Sequence, residues 1–202
     1  MLDREIELSN YTRELINKIF GSNVGCSLSV THMDGKEINI LVFKNTKMQN
    51  SEQDFSSVNE ERAATTISHM NASLSALNSP VDLHDAQIGL ELSIGVLVDF
   101  IDVYRMIVSQ LSDKGIRTTF FISFGDDNID INSFVVESVI SDLVNLGADC
   151  AVDKLQTVAD FERCEHIFEL ITKIRLNKQN FQNSEFIEML SAKSIKAIQD
   201  IT

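Results

Sequence analysis

A long apolar repeat between Leu83 and Leu111 constrains the fold of this chain more than any other feature. Its members lie alternately four and three residues apart, and only Gln87 among them is polar. They are Leu83, Gln87, Leu90, Ile94, Leu97, Ile101, Tyr104, Val108 and Leu111. An apolar repeat of about 3.5 residues over this length is typical of a helix that packs lengthwise against other helices. We therefore predict one long helix here.

The preceding segment carries a similar repeat and predicts a second helix. Its members are Ala63, Ile67, Met70, Leu74 and Leu77. The linker between the two repeats, residues 78–82, contains Pro80, which cannot continue a helix. Two long helices joined by a short linker predict an antiparallel helical hairpin that forms a bundle. We expect two copies of the hairpin to pair, so a homodimer is predicted.

Residues 86–100 also fit a strand, and the sequence leaves this alternative open. Apolar residues alternate strictly at Ile88, Leu90, Leu92, Ile94, Val96, Val98 and Phe100. This is the period of two that a strand shows. Gly89 and Gly95 would each cost a helix about 1 kcal/mol. The helix is favoured because a strand of this length is unusual and because residues 100–111 have helical spacing only.

The segments on either side of the predicted hairpin mix helices and strands. An amphipathic helix is predicted over residues 3–20, and a β-hairpin over residues 26–43 around Asp34-Gly35, followed by a polar loop to residue 57. After the hairpin we predict a strand over 116–124, a helix over 132–146, a strand or continued helix over 148–152, and helices over 157–176 and 184–201.

These elements predict a helix-rich α+β fold: a bundle-forming helical hairpin, a small β-hairpin and a short strand–helix unit. The polar loop marks the first predicted boundary and Gly115, a helix C-cap, lies just after the second. The predicted units are therefore residues 1–57, 58–114 and 115–202.

The charge of the chain excludes some classes of partner. Among its 202 residues, 30 are acidic and 17 basic, which gives a net charge of −13. A nucleic-acid backbone or an anionic membrane would be repelled, so we predict neither as a partner. The acidic surface suits solubility or a basic protein partner.

Cysteine usage and the apolar runs bear on the compartment. The three cysteines are an odd, sparse set that fits reduced thiols in a cytosol. The N-terminus lacks the basic and apolar regions of a signal peptide, and no apolar run approaches the roughly twenty residues that span a bilayer. We expect a cytoplasmic protein.

The first candidate site is His69, in the run Ile67-Ser68-His69. This run resembles the dimerisation and phosphotransfer helix of sensor histidine kinases. An exposed imidazole beside a heptad repeat could accept a phosphoryl group. In the same order, Lys114-Gly115-Ile116 looks like the start of that family's ATP-binding domain, and residues 139–145 look like its magnesium-binding helix. The alternative is that His69 is only a polar residue flanking the helix.

The sequence also departs from the histidine kinase pattern. Met70 replaces the acidic residue after the histidine, Leu74 replaces a proline, and Asp142 replaces the first asparagine of the magnesium-binding helix. No Asp-x-Gly-x-Gly nucleotide motif is present. The resemblance therefore implies a phosphotransfer or dimerisation protein without kinase activity, whose partner would be a response regulator.

Asp142 and Asn145 form a second candidate site. They resemble the acid-x-x-Asn helix of phosphatases that act on chemotaxis response regulators, where a carboxylate and an amide orient water on an acyl phosphate. Residues three apart share one face of a helix, so the spacing permits this. The alternative is a solvated helix face.

A third candidate is a divalent cation site, and it is the one cofactor that the sequence suggests. Asp126, Asn128, Asp130 and Glu137 follow the spacing of an EF-hand loop, and their oxygens would suit a hard cation. Ile131 lies where that loop needs glycine. The alternative is an acidic turn that caps the next helix.

Together these features predict a cytoplasmic signalling or regulatory protein of the two-component type, acting by phosphotransfer or by response-regulator binding. Catalysis of its own is left open, and we lean against it. The alternatives are a non-catalytic acidic scaffold module and a sensor of a small ligand or cation.

Overall fold

The computed structural model describes residues 26–33, 36–44, 86–113, 115–124, 133–155 and 157–200. Within these ranges, seven strands form a closed barrel. The strands are β1 (Cys26–Met33), β2 (Lys36–Lys44), β3 (Ala86–Ser93), β4 (Arg117–Ser123), β5 (Asp149–Asp153), β6 (Lys173–Leu176) and β7 (Lys196–Asp200).

The strands follow one another around the barrel in chain order. From β2 to β7 each strand is parallel to the next. β1 is antiparallel to β2 and also to β7, where Ser29 pairs with Asp200 and closes the ring. Parallel neighbours require crossover connections, and these bring helices onto the outside of the barrel.

The described crossovers contain six α-helices and one 3-10 helix. They are α1 (Ile94–Asp99) and α2 (Ile101–Ser112) before β4, α3 (Phe134–Asn145) before β5, α4 (Val158–Arg163) and the 3-10 helix (Glu165–Glu169) before β6, and α5 (Lys178–Phe181) and α6 (Ser184–Ala192) before β7. None of the described helices has the length and apolar character needed to span a membrane.

The alternation of residues along each strand creates two apolar cores. Outward-facing residues such as Ile88, Leu90 and Phe120 pack against the helices in the larger core. The smaller core fills the barrel interior and consists of Ile40, Val42, Phe121, Ala151 and Ile198. Odd-numbered residues of β3 to β6 therefore face the interior.

Gly89 makes room for this interior packing. A Cβ atom at Gly89 would lie 2.7 Å from the ring of Phe121 and 3.0 Å from the side chains of Ile40 and Val42. No side chain larger than hydrogen fits there without displacing the apolar core.

The prediction of one long helix from Leu83 to Leu111 is wrong, because residues 86–93 form β3. The alternative reading as a strand is correct for these residues, while residues 94–99 and 101–112 are helical. Leu90 on the strand and Leu97 and Tyr104 on the helices all belong to the larger core. The apolar positions of strand and helix therefore form one continuous series.

The predicted α+β fold with a helical hairpin bundle is accordingly wrong: the described chain is an α/β barrel with alternating strands and helices. The helices predicted over 157–176 and 184–201 each end in a strand, β6 and β7. The β-hairpin, β4 and α3 are confirmed. Of the two alternatives over 148–152, the strand is correct and forms β5.

Some predicted elements cannot be compared with the structure. The helix over 3–20, the loop up to residue 57 and the first hairpin helix, with its linker, lie outside the described residues. Strands on both sides of the predicted boundaries pair in one barrel. The boundary at 57/58 also lies outside the described ranges, and the division into three units stays a prediction.

Candidate functional site in the barrel mouth

The carboxyl ends of β3 to β6 form a polar mouth above the apolar interior of the barrel. In barrels of parallel strands, binding and catalytic groups lie at this end. Inward-facing positions here carry Glu91 on β3, Ser123 on β4, Asp153 on β5 and Arg175 on β6, and all four residues are buried. This mouth is the candidate functional site.

Arg175 joins the two carboxylates of the mouth. Its Nε donates to Oδ1 of Asp153 at 2.9 Å, and its Nη2 donates to Oδ2 of the same residue at 3.0 Å. Nη2 also donates to Oε2 of Glu91 at 2.5 Å. One guanidinium therefore binds β5 in a bidentate manner and reaches across β4 to β3. We call these three residues the arginine clamp.

The apolar interior supports the arginine clamp from below. The guanidinium carbon of Arg175 lies 4.7 Å from the centre of the Phe121 ring. Arginine stacks favourably on an aromatic face. Because Phe121 occupies the space that Gly89 leaves free, the glycine, the ring and the guanidinium form one packed column.

Lys154 adds a second cation at the mouth. Its Nζ lies 3.3 Å from Oε1 of Glu91, and its side chain is half-exposed. Its backbone has a φ of 61°, in the left-handed region that non-glycine residues seldom adopt. Strain of this kind occurs mainly where the surrounding structure imposes it, often at functional sites.

The pKa values of the two carboxylates shift in opposite directions, because burial outweighs Arg175 at Asp153 whereas Arg175 and Lys154 together outweigh burial at Glu91. Burial raises the pKa of Asp153 above its ordinary value, and the nearby charge of Glu91 adds to this, although Arg175 opposes it. Burial would also raise the pKa of Glu91, but Arg175 and Lys154 together lower it. Such a split is expected where two carboxylates share one site.

The four carboxylate oxygens of the clamp are all engaged. Arg175 holds both oxygens of Asp153 and one of Glu91, while Lys154 holds the other. Every oxygen of the two carboxylates therefore already has a cationic partner, which a metal ion or a substrate proton would have to compete with. Within the described ranges, no group of three metal-ligating side chains is present.

The predicted site residues lie elsewhere or outside the described chain. Asp142 and Asn145 lie on the outer helix α3, where Asp142 forms an ion pair with Arg105 of α2 and Asn145 is exposed. Glu137 is exposed on the same helix. His69 and the three turn residues Asp126, Asn128 and Asp130 fall outside the described residues. The roles proposed for all of these stay predictions.

Sequence reasoning missed the arginine clamp because its members are distant along the chain. Glu91 and Arg175 are 84 residues apart. The available signal was polar residues at the ends of short apolar strands. Asp153 follows Cys150-Ala151-Val152, and Arg175 lies between Ile174 and Leu176. That signal becomes informative only when the strands are known to be parallel neighbours.

Comparison with known proteins gives a fold and no family. No family model matches the chain, and no curated protein matches it. Among solved structures, the FimX EAL domain is similar, with a TM-score of 0.53 and 13% sequence identity over 95% of this chain and 85% of that chain. The suggested resemblance to a histidine kinase dimerisation region is therefore wrong: the chain has the fold of an EAL domain.

Proposed function

We propose that this chain is a signalling or regulatory domain that acts by binding a protein partner and does not hydrolyse a nucleotide. EAL domains are signalling modules for cyclic di-GMP and use divalent cations. Similarity of fold supports the signalling role, whereas the chemistry must be argued from the site itself.

The arginine clamp is the observation that carries the non-catalytic part of the proposal. Metal-assisted hydrolysis needs carboxylates that hold the metal or accept a proton. Glu91 and Asp153 are instead bound to Arg175 and Lys154. Releasing either carboxylate would leave a buried charge without its partner, which costs several kcal/mol in general.

Exposed apolar residues at the same end of the barrel support a protein partner. Phe134 and Val135 begin α3, and Val158 begins α4, and all three are exposed. Each helix starts near the carboxyl end of the preceding strand, so we expect these residues at the same end of the barrel as the mouth. Exposed Glu137 adds negative charge to the start of α3, so the fitting partner presents apolar and basic side chains.

The catalytic question is decided by incubating the chain with cyclic di-GMP and MgCl2 or MnCl2 and separating the products by chromatography. We expect no linear dinucleotide above the amount formed with heat-denatured chain, because both carboxylates are already bound. The variant Glu91→Gln is the matched control. Product formed by the wild type and lost in Glu91→Gln would assign hydrolysis to the mouth and overturn the proposal.

A further inference from the structure

The two buried carboxylates of the arginine clamp need a positive countercharge. A buried carboxylate is costly in its ionised form unless a cation neutralises it, either a metal ion or a basic side chain. Glu91 and Asp153 converge from β3 and β5, on either side of β4, at the end of the barrel where functional groups lie. EAL domains use divalent cations, so a divalent cation is the alternative to basic side chains as the countercharge of these two carboxylates.

The residues present do not fit a divalent cation, because a guanidinium nitrogen occupies the bridging position. Nη2 of Arg175 is 2.5 Å from Oε2 of Glu91 and 3.0 Å from Oδ2 of Asp153. A metal bound by both carboxylates would need that same point, at about 2.0–2.6 Å from each oxygen. It could enter only by displacing a buried side chain that also stacks on Phe121.

A second cation makes the mismatch larger. Lys154 lies 3.3 Å from the remaining oxygen of Glu91. Two positive side chains beside the same carboxylate would repel an incoming cation. Lys154 directly follows Asp153, has a left-handed backbone conformation and reaches Glu91 on β3 with its side chain.

We infer that Arg175 and Lys154 substitute for a divalent cation in the barrel mouth, so that the fold carries its own countercharge and needs no metal. Arginine suits this position because its planar fork binds one carboxylate through two nitrogens and still reaches a second. The inference rests on the same arginine clamp as the non-catalytic part of the proposed function, and the response of the Tm to metal tests it separately from the assay for hydrolysis.

The decisive variant is Arg175→Met, which keeps an apolar side chain over Phe121 and removes the charge. Thermal unfolding is measured with MgCl2 or MnCl2 and with KCl at equal ionic strength. In the variant the two freed carboxylates bind the metal, and we expect its Tm to rise by at least about 4 °C. The wild type is expected to show no difference between the salts.

Further variants separate metal binding at the mouth from other effects. The triple variant Arg175→Met, Glu91→Gln, Asp153→Asn lacks both carboxylates and should lose the response to metal. Should Arg175→Met fail to fold in either salt, Arg175→Gln decides, because it also removes the cation but keeps an amide that can donate a hydrogen bond to a carboxylate. It should show a smaller rise in Tm that disappears when Glu91→Gln is added.

Two results would refute the inference. One is a folded Arg175 variant that keeps both carboxylates and whose Tm does not respond to metal. The other is a wild type stabilised by metal in a way that Glu91→Gln abolishes. The second result would also remove the argument against metal-assisted hydrolysis, and the product assay with cyclic di-GMP would then decide whether hydrolysis occurs.

Discussion

At the scale of single residues, the absence of a side chain at Gly89 organises the barrel interior. The Phe121 ring fills the space beside this glycine, and Arg175 stacks on the ring. A substitution at Gly89 should therefore displace the Phe121 ring and, through it, the guanidinium of Arg175.

We predict that Gly89→Ala destabilises the chain by about 1–3 kcal/mol, because the added methyl group must push aside the packed Phe121 ring. Urea unfolding followed by circular dichroism measures the loss. Gly147→Asn is the control, since Gly147 has a φ of 86° with nothing within 4 Å of an added Cβ, and asparagine tolerates this conformation. An alanine variant as stable as the wild type would show that the interior is loosely packed.

Arg175 shows why single residues of the site could not be predicted from the sequence. Its importance comes from Glu91, Asp153 and Phe121, which lie on three other strands. Nothing adjacent to Arg175 in the sequence distinguishes it from a surface residue. The acid-x-x-Asn spacing instead predicted a site at Asp142, which forms an ion pair with Arg105 on the outer helices.

At the scale of helices and strands, predictions agreed best with the structure where residues close together in the sequence decide the backbone conformation. Asp34-Gly35 between two apolar runs predicted the β1–β2 hairpin, which is present, with Met33 paired to Lys36. Gly147, with its positive φ, ends the segment that contains α3. Both signals act within a few residues, so they do not depend on the rest of the fold.

The predicted helices and strands agreed least with the structure where a short strand follows a helix along the chain. β6 has four residues, and two of them, Ile174 and Leu176, face the larger core. Two apolar positions cannot reveal a period of two. The spacing from Phe161 through Phe168 and Ile171 continues into β6, because successive elements bury residues in the same core. This pattern imitates one long helix.

The short helix α4 depends on its N-terminal cap. Thr157 Oγ1 accepts from the backbone N–H of Asp160, and the carboxylate of Asp160 accepts from the N–H of Thr157. We predict that Thr157→Ala lowers the free energy of unfolding by about 1 kcal/mol, because the backbone N–H of Asp160 loses its acceptor. Urea unfolding measures the change.

Thr157→Ser is the matched control, because it keeps the hydroxyl oxygen and should remain close to the wild type. Equal losses for alanine and serine would mean that the methyl group of Thr157 matters and that the cap does not.

At the scale of the whole molecule, the arginine clamp connects stability to pH. The pKa of Glu91 in the folded chain is below its ordinary value of 4.5. Ionised Glu91 therefore contributes stability above about pH 4.5, and this contribution is lost as the pH falls through the folded pKa. Asp153, whose pKa is raised, has the opposite dependence and partly offsets this loss.

We predict that Glu91→Gln lowers the Tm near neutral pH and that its difference from the wild type shrinks below about pH 4.5. Thermal unfolding over a series of buffers between about pH 3 and 7 measures this difference. Glu137→Gln, a change in an exposed glutamate of α3, is the control and should cause little change. A difference that stays constant with pH would mean that Glu91 contributes by packing alone.

The antiparallel pairing of β1 with β7 has a consequence for the newly made chain. Ser29 and Asp200 meet across this seam, so the ring of main-chain hydrogen bonds is completed only after β7 leaves the ribosome. Until then, strand edges stay open and can pair with other chains. Contacts between such distant residues also form slowly. The period before the last strand emerges is therefore when aggregation is most expected.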